Sequence, residues 1–185
     1  MKTLHTIKLI AILFISSLLL SSCSDDHDEE GHDHEEELIT TVTYTLTNGS
    51  DIVTLTFQDL DGEGGSDGTT TVSKPLTANT TYTGSIQLLN ETESPAENIT
   101  TEVQEEGDEH EFFYSSTFAD VLITKTDTDM NGNPIGIETS LTAGNAGSGT
   151  LTIVLKHEPT KPNNGTSTEA GGSTDLEVTF SIEIQ

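Results

Sequence analysis

Few side chains in this chain are equipped for chemistry. It has one cysteine, Cys23, and six histidines. A thiol is the strongest nucleophile present, and a lone cysteine has no intrachain disulfide partner. His27, His32 and His34 lie in the segment 24–37 among nine carboxylates. Neutral imidazole binds Zn²⁺, Ni²⁺ and Cu²⁺, and flexible His-rich tracts wrap such ions. These three histidines are therefore the first candidate ligands for Zn²⁺ or another divalent cation. Ordering such a tract costs about 1–2 kcal/mol per residue fixed, so affinity there is modest.

A second candidate lies at 127–138. Asp127, Asp129, Asn131 and Asn133 occupy places one, three, five and seven of a calcium loop, with Gly132 at six and Glu138 at twelve. The context argues against it. Both flanks are strand-patterned rather than helical, Pro134 takes the aliphatic eighth place, and a hairpin turn at 131–133 uses the same residues. A weaker match at 59–70 ends on Thr70 where a bidentate acid belongs. His110 has Glu109 and Glu111 beside it, but adjacent residues rarely ligate together, and the acidic cluster around it reads as a solvated connection. His157 opens a long Pro/Gly/Asn/Thr stretch, 157–173, of a length that suggests function.

Other chemistry is missing. The chain has no G-x-S-x-G, H-E-x-x-H, P-loop, dinucleotide fingerprint or C-x-x-C. Paired carboxylates are everywhere in so acidic a chain, but without tryptophan no sugar platform is evident. The expectation is a non-catalytic protein. Six lysines, no arginine and 32 acids give a net charge of −26. Nucleic acid is excluded, because binding it requires neutralising cations, and divalent cations are the favoured partners.

The elements that position these residues begin with an export segment. Lys2 and Lys8 precede an apolar run at 9–20, the layout of a secretory signal, 1–22. That run is too short for the roughly 30 Å hydrocarbon core of a bilayer. Leu20-Ser21-Ser22-Cys23 resembles the bacterial lipobox. The resemblance implies that Cys23 is the lipid attachment site and the first mature residue, and several acyl chains make such an anchor permanent. Ser24-Asp25-Asp26 resembles the surface-export signal of Bacteroidota lipoproteins, which implies an outer-membrane lipoprotein on the cell surface. The segment 23–37 lacks apolar side chains after the cysteine and reads as a disordered tether.

From 38 to 185 the pattern is one β domain. Alternation marks strands at 38–47, 52–58, 69–76, 80–89, 110–115, 119–126, 135–141, 150–156 and 174–185. Asn48-Gly49 predicts a hairpin between the first two, and Pro75 marks the third as an edge. Ile99 and Val103 sit four apart before Gly107, which predicts one short helix over 98–106. The expected fold is all-β: an antiparallel two-sheet sandwich, immunoglobulin-like, with about nine strands. A small barrel is the alternative.

The segments 59–65, 82–92 and 155–159 carry D-L-D-G-x-G-G, Y-T-G-S-I-x-L-L-N-E-T and L-x-H-E-P. In these the mature chain is similar to a family of small acidic Bacteroidota surface lipoproteins of unknown function. Relatives labelled periplasmic-binding-fold or cyclohydrolase proteins find no support here, since neither βαβ alternation nor a Cys/His zinc set is present. Two functions are consistent with these features. One is a binding module that concentrates a divalent metal beside an outer-membrane transporter. The other is a structural or adhesive accessory that docks a surface protein, with the tether only a spacer.

Overall fold

Strands form here because threonine and valine alternate with larger apolar residues, so that one face of each segment is buried. In β1 (Thr41–Asn48), Val42, Tyr44 and Leu46 are buried. Opposite them stand Phe57, Leu55 and Val53 of β2 (Asp51–Gln58). The hairpin loop is Gly49-Ser50, one residue later than the Asn-Gly signal suggests, because Asn48 pairs with Asp51. Gly49, at φ +58°, takes the first loop position, where a II′ turn calls for glycine.

A computed structural model describes residues 38–61 and 68–185. Cys23, His27, His32 and His34, and most of the loop at 59–68, lie outside the described residues. The remaining elements are β3 (Thr69–Val72), β4 (Thr81–Leu89), α1 (Ile99–Glu105), β5 (His110–Ser116), β6 (Leu122–Lys125), β7 (Glu138–Thr142), β8 (Gly147–His157), α2 (Ser167–Ala170) and β9 (Ser173–Ile184).

All strand pairs are antiparallel. One sheet runs β3-β2-β1-β4-β7-β6 and the other β5-β8-β9. This is a two-sheet sandwich, not a barrel. Its connectivity is immunoglobulin-like: β1-β4-β7-β6 corresponds to A-B-E-D and β5-β8-β9 to C-F-G. The hairpin partners β2 and β3 are an insertion that widens the first sheet, with β3 at its edge. After β3 the chain crosses to the second sheet, where Leu76 bridges Ile184 in parallel and its N–H donates to the Glu183 carbonyl at 2.9 Å.

The core lies between the sheets. Tyr44, Tyr82 and Leu141 of one face meet Phe112, Leu155 and Phe180 of the other, all fully buried. Within it the Tyr44 hydroxyl and Thr139 Oγ1 share a buried hydrogen bond of 2.7 Å. Gly84 makes room for that bond, since a Cβ there would stand 2.6 Å from the Tyr44 hydroxyl oxygen. The helix α1 forms as its spacing predicts, burying Ile99 and Val103 against the core. The stretch 158–172 is not a structureless loop. It carries α2, whose Ala170 packs with Phe113 and Val154 on the outer face of the small sheet.

Replacing Tyr44 by Phe leaves the buried Thr139 hydroxyl without this partner. Urea unfolding should show a loss of about 1–3 kcal/mol with an unchanged m-value.

Candidate metal centre

The site is built where β5 begins and β8 ends. Antiparallel register sets His110 opposite His157. Both share parity with core residues, His110 with Phe112 and His157 with Leu155, so both rings turn inward. Their rings stack with centroids 4.7 Å apart and planes 19° from parallel. His110 is 0% exposed and His157 is 7% exposed.

The third member comes from a bulge. Leu155 faces Leu176 and Lys156 faces Thr174, so β9 carries one extra residue, Asp175. A bulge re-aims the side chain it inserts. The Asp175 carboxylate is fully buried, and its Oδ2 lies 3.8 Å from His110 Nε2. One ligand atom from each of His110, His157 and Asp175 falls within a 4.8 Å group.

The end of α1 supplies the next contact. His110 Nδ1 is 3.2 Å from the Glu106 carbonyl oxygen. Burial pushes the His110 imidazole below its usual pKa and outweighs the opposing pull of that carbonyl. The charge of His157 pushes the same way, while the carboxylates of Asp175 and Glu106 push against it. His110 is therefore neutral near pH 7. On the outer side, Glu109 and Glu158 are exposed and form a second group with His157, also within 4.8 Å. The Glu158 N–H donates to the Glu109 carbonyl at 2.6 Å, with Glu158 in the left-handed region at φ +51°.

The expected solvated connection at His110 and Glu111 is corrected by this arrangement. Glu111 is buried as well, because β5 runs beneath the folded-back stretch 158–172. Its carboxylate accepts from Lys125 Nζ at 2.5 Å and from Asn163 Nδ2 at 2.7 Å. Lys125 lies over the Phe113 ring, 4.3 Å from its centroid, and burial pushes its ammonium below the usual range. This pair lines an open pocket of about 360 Å³ together with Pro162 and Asn163.

The calcium-like loop joins β6 to β7, two strands, and its carboxylates serve the loop itself. Asp127 Oδ1 and Oδ2 accept the N–H groups of Gly136 and Ile137 at 2.8 and 2.9 Å. Asp129 Oδ1 accepts the N–H groups of Asn131 and Asn133, each at 2.8 Å. Gly132, at φ +82°, makes the turn. Asp129 also has a cation: the ammonium of Lys161 is 3.4 Å from Oδ2 while donating to the Gly107 and His110 carbonyls at 2.5 and 2.6 Å. Burial favours the neutral Asp129 acid, but the loop N–H groups and Lys161 prevail and hold its carboxyl below the usual range. Glu138 is pushed upward by burial and by Asp127. Asp127, Asp129 and Glu138 do not gather into a metal-type group among the described residues.

Sequence reasoning placed His110 and His157 inside the domain but not together, and it passed over Asp175. The weak signal available was polarity: His110 and His157 each interrupt an apolar face at a strand end. No known protein family, curated protein or solved structure matches the chain.

A buried imidazole kept neutral in the fold makes stability depend on pH. Because the folded pKa of His110 is lowered, its contribution is full above the unfolded value of about 6.5. It is lost as pH falls through that value, since only the unfolded chain then binds the proton. Metal-free protein should therefore lose urea resistance between about pH 7 and 5.5, and the His110→Gln variant should lose less over the same window.

Proposed function

We propose that this protein is a lipid-anchored, surface-displayed lipoprotein of the outer membrane that acts as a non-catalytic binding module. Its cargo is a divalent cation of the zinc class, passed to an outer-membrane transporter. The observation that carries the reading is the meeting of two imidazoles and a carboxylate at one end of an acidic sandwich. A field of this sign raises the local concentration of cations. The lipobox-like Leu20-Ser21-Ser22-Cys23 supports the anchor, and the acids after Cys23 support export to the surface. His27, His32 and His34 are further candidate donors for the same class of ion.

A second reading, a structural or adhesive accessory, draws on exposed apolar side chains. Leu122 and Met130 are 64% and 86% exposed on the β6–β7 side of the sandwich. Metal-independent capture of one surface protein, lost on Leu122→Ser, would favour it.

Two measurements test the first reading. Calorimetric titration of residues 24–185 with Zn²⁺ should give saturable binding at micromolar concentration or tighter, and no saturable heat would contradict it. At a free Zn²⁺ concentration of 100 Kd the fold should gain about 2.7 kcal/mol. For the anchor, cells expressing the Cys23→Ser variant should show no incorporation of labelled fatty acid, while the wild-type chain is labelled.

A further inference from the structure

We infer that His110 Nε2, the His157 imidazole and the Asp175 carboxylate form a three-ligand centre for a borderline transition-metal ion such as Zn²⁺. The inference rests on the cation-binding reading and assigns its atoms.

The tautomer of His110 is the starting point. A carbonyl oxygen only accepts, so the 3.2 Å contact with Glu106 places the ring hydrogen on Nδ1. In the neutral ring Nε2 then carries a lone pair. That nitrogen is fully buried and has no hydrogen-bond partner among the described residues. Buried acceptors are seldom left so, and each such case calls for a cause such as an ion. What faces it is an oxygen of Asp175 at 3.8 Å, beyond hydrogen-bond distance. An imine nitrogen and a carboxylate offer lone pairs to the same space, and a cation between them is the complement.

The support around the ring is already that of a ligand. Metal-binding imidazoles characteristically donate their other N–H to a backbone carbonyl or carboxylate, which fixes the ring and its tautomer. Glu106 at the end of α1 does this for His110. Two nitrogens and one carboxylate oxygen suit Zn²⁺ and its neighbours, whereas Ca²⁺ and Mg²⁺ require oxygen-rich shells. Three protein ligands leave a fourth position open, and the exposed Glu109 and Glu158 beside His157 mark the approach to it.

The ligand atoms stand within 4.8 Å of one another. Bonds of about 2.0–2.1 Å to a tetrahedral ion bring ligand atoms to roughly 3.4 Å, so the side chains must close by somewhat over 1 Å. His157 is the last residue of β8 and Asp175 sits in the bulge, so both can rotate without breaking the strand ladder.

The test is titration of residues 24–185 with zinc chloride in buffer containing about 1 mM Ca²⁺, a level typical of weak extracellular calcium sites. Wild type is compared with His110→Gln, Asp175→Asn and a His27/His32/His34→Ala triple variant. Loss of one ligand should weaken zinc by at least 10–100-fold, the range seen even for supporting residues, while the triple variant keeps the wild-type affinity. Zinc binding that survives His110→Gln but vanishes in the triple variant overturns the centre and leaves the broader reading standing. No zinc binding by wild type removes both. Should a domain variant fail to fold, Co²⁺ absorption of wild-type residues 38–185 decides, since this stretch holds the whole sandwich core. A strong visible band expected of a tetrahedral site supports the centre, and its absence overturns it.

Discussion

One extra residue in β9 shapes the end of this sandwich where the candidate site lies. From Leu176 to Ile184 the strand alternates strictly, burying every second side chain against the core. Continued backwards, that alternation would put Asp175 on the solvent face with Glu177 and Thr179. The register step opposite Leu155 and Lys156 turns its carboxylate inside instead. A charged group in the interior is costly unless a cation or hydrogen bonds meet it. The rest of this end is organised around that demand, with two imidazoles from neighbouring strands and the end of α1 closing over them.

How the protein treats its other buried acids sharpens the contrast. It has only six lysines for 32 acids, and among the described residues Lys125 and Lys161 are spent on buried carboxylates. Lys125 meets Glu111 and Lys161 meets Asp129, each with further hydrogen bonds to spare groups nearby. Asp175 instead has an imidazole nitrogen 3.8 Å from its Oδ2. That ring is His110, and His157 stacks on it. A neutral imidazole is the side chain that can share such a space with a metal ion and still tolerate burial without one.

Much of the fold was legible because alternation is a local signal. The strands, the edge position of β3 and the α1 helix all follow from spacing within a few residues. The centre was illegible because its members meet through register. His110 and His157 become neighbours only once β5 pairs with β8, and nothing in either segment names its partner. The bulge at Asp175 is a matter of one residue against the opposite strand, which a single strand's pattern does not show. The calcium-like spacing at 127–138 is ambiguous for a related reason. Asp and Asn at those intervals also suit a tight turn whose carboxylates accept the loop's own N–H groups. The tract of His27, His32 and His34 drew attention by density, whereas the paired histidines of the domain are scattered in sequence.

The central claim concerns which nitrogen of which histidine meets the ion. The direct measurement is two-bond ¹⁵N–¹H correlation of the histidine rings in residues 24–185, before and after one equivalent of Zn²⁺. The account predicts that metal-free His110 is the Nδ1–H tautomer and that Zn²⁺ shifts Nε2 of His110 together with one nitrogen of His157. Resonances of His27, His32 and His34 should stay in place at that stoichiometry. Shifts confined to those three, with His110 and His157 unmoved, would contradict it.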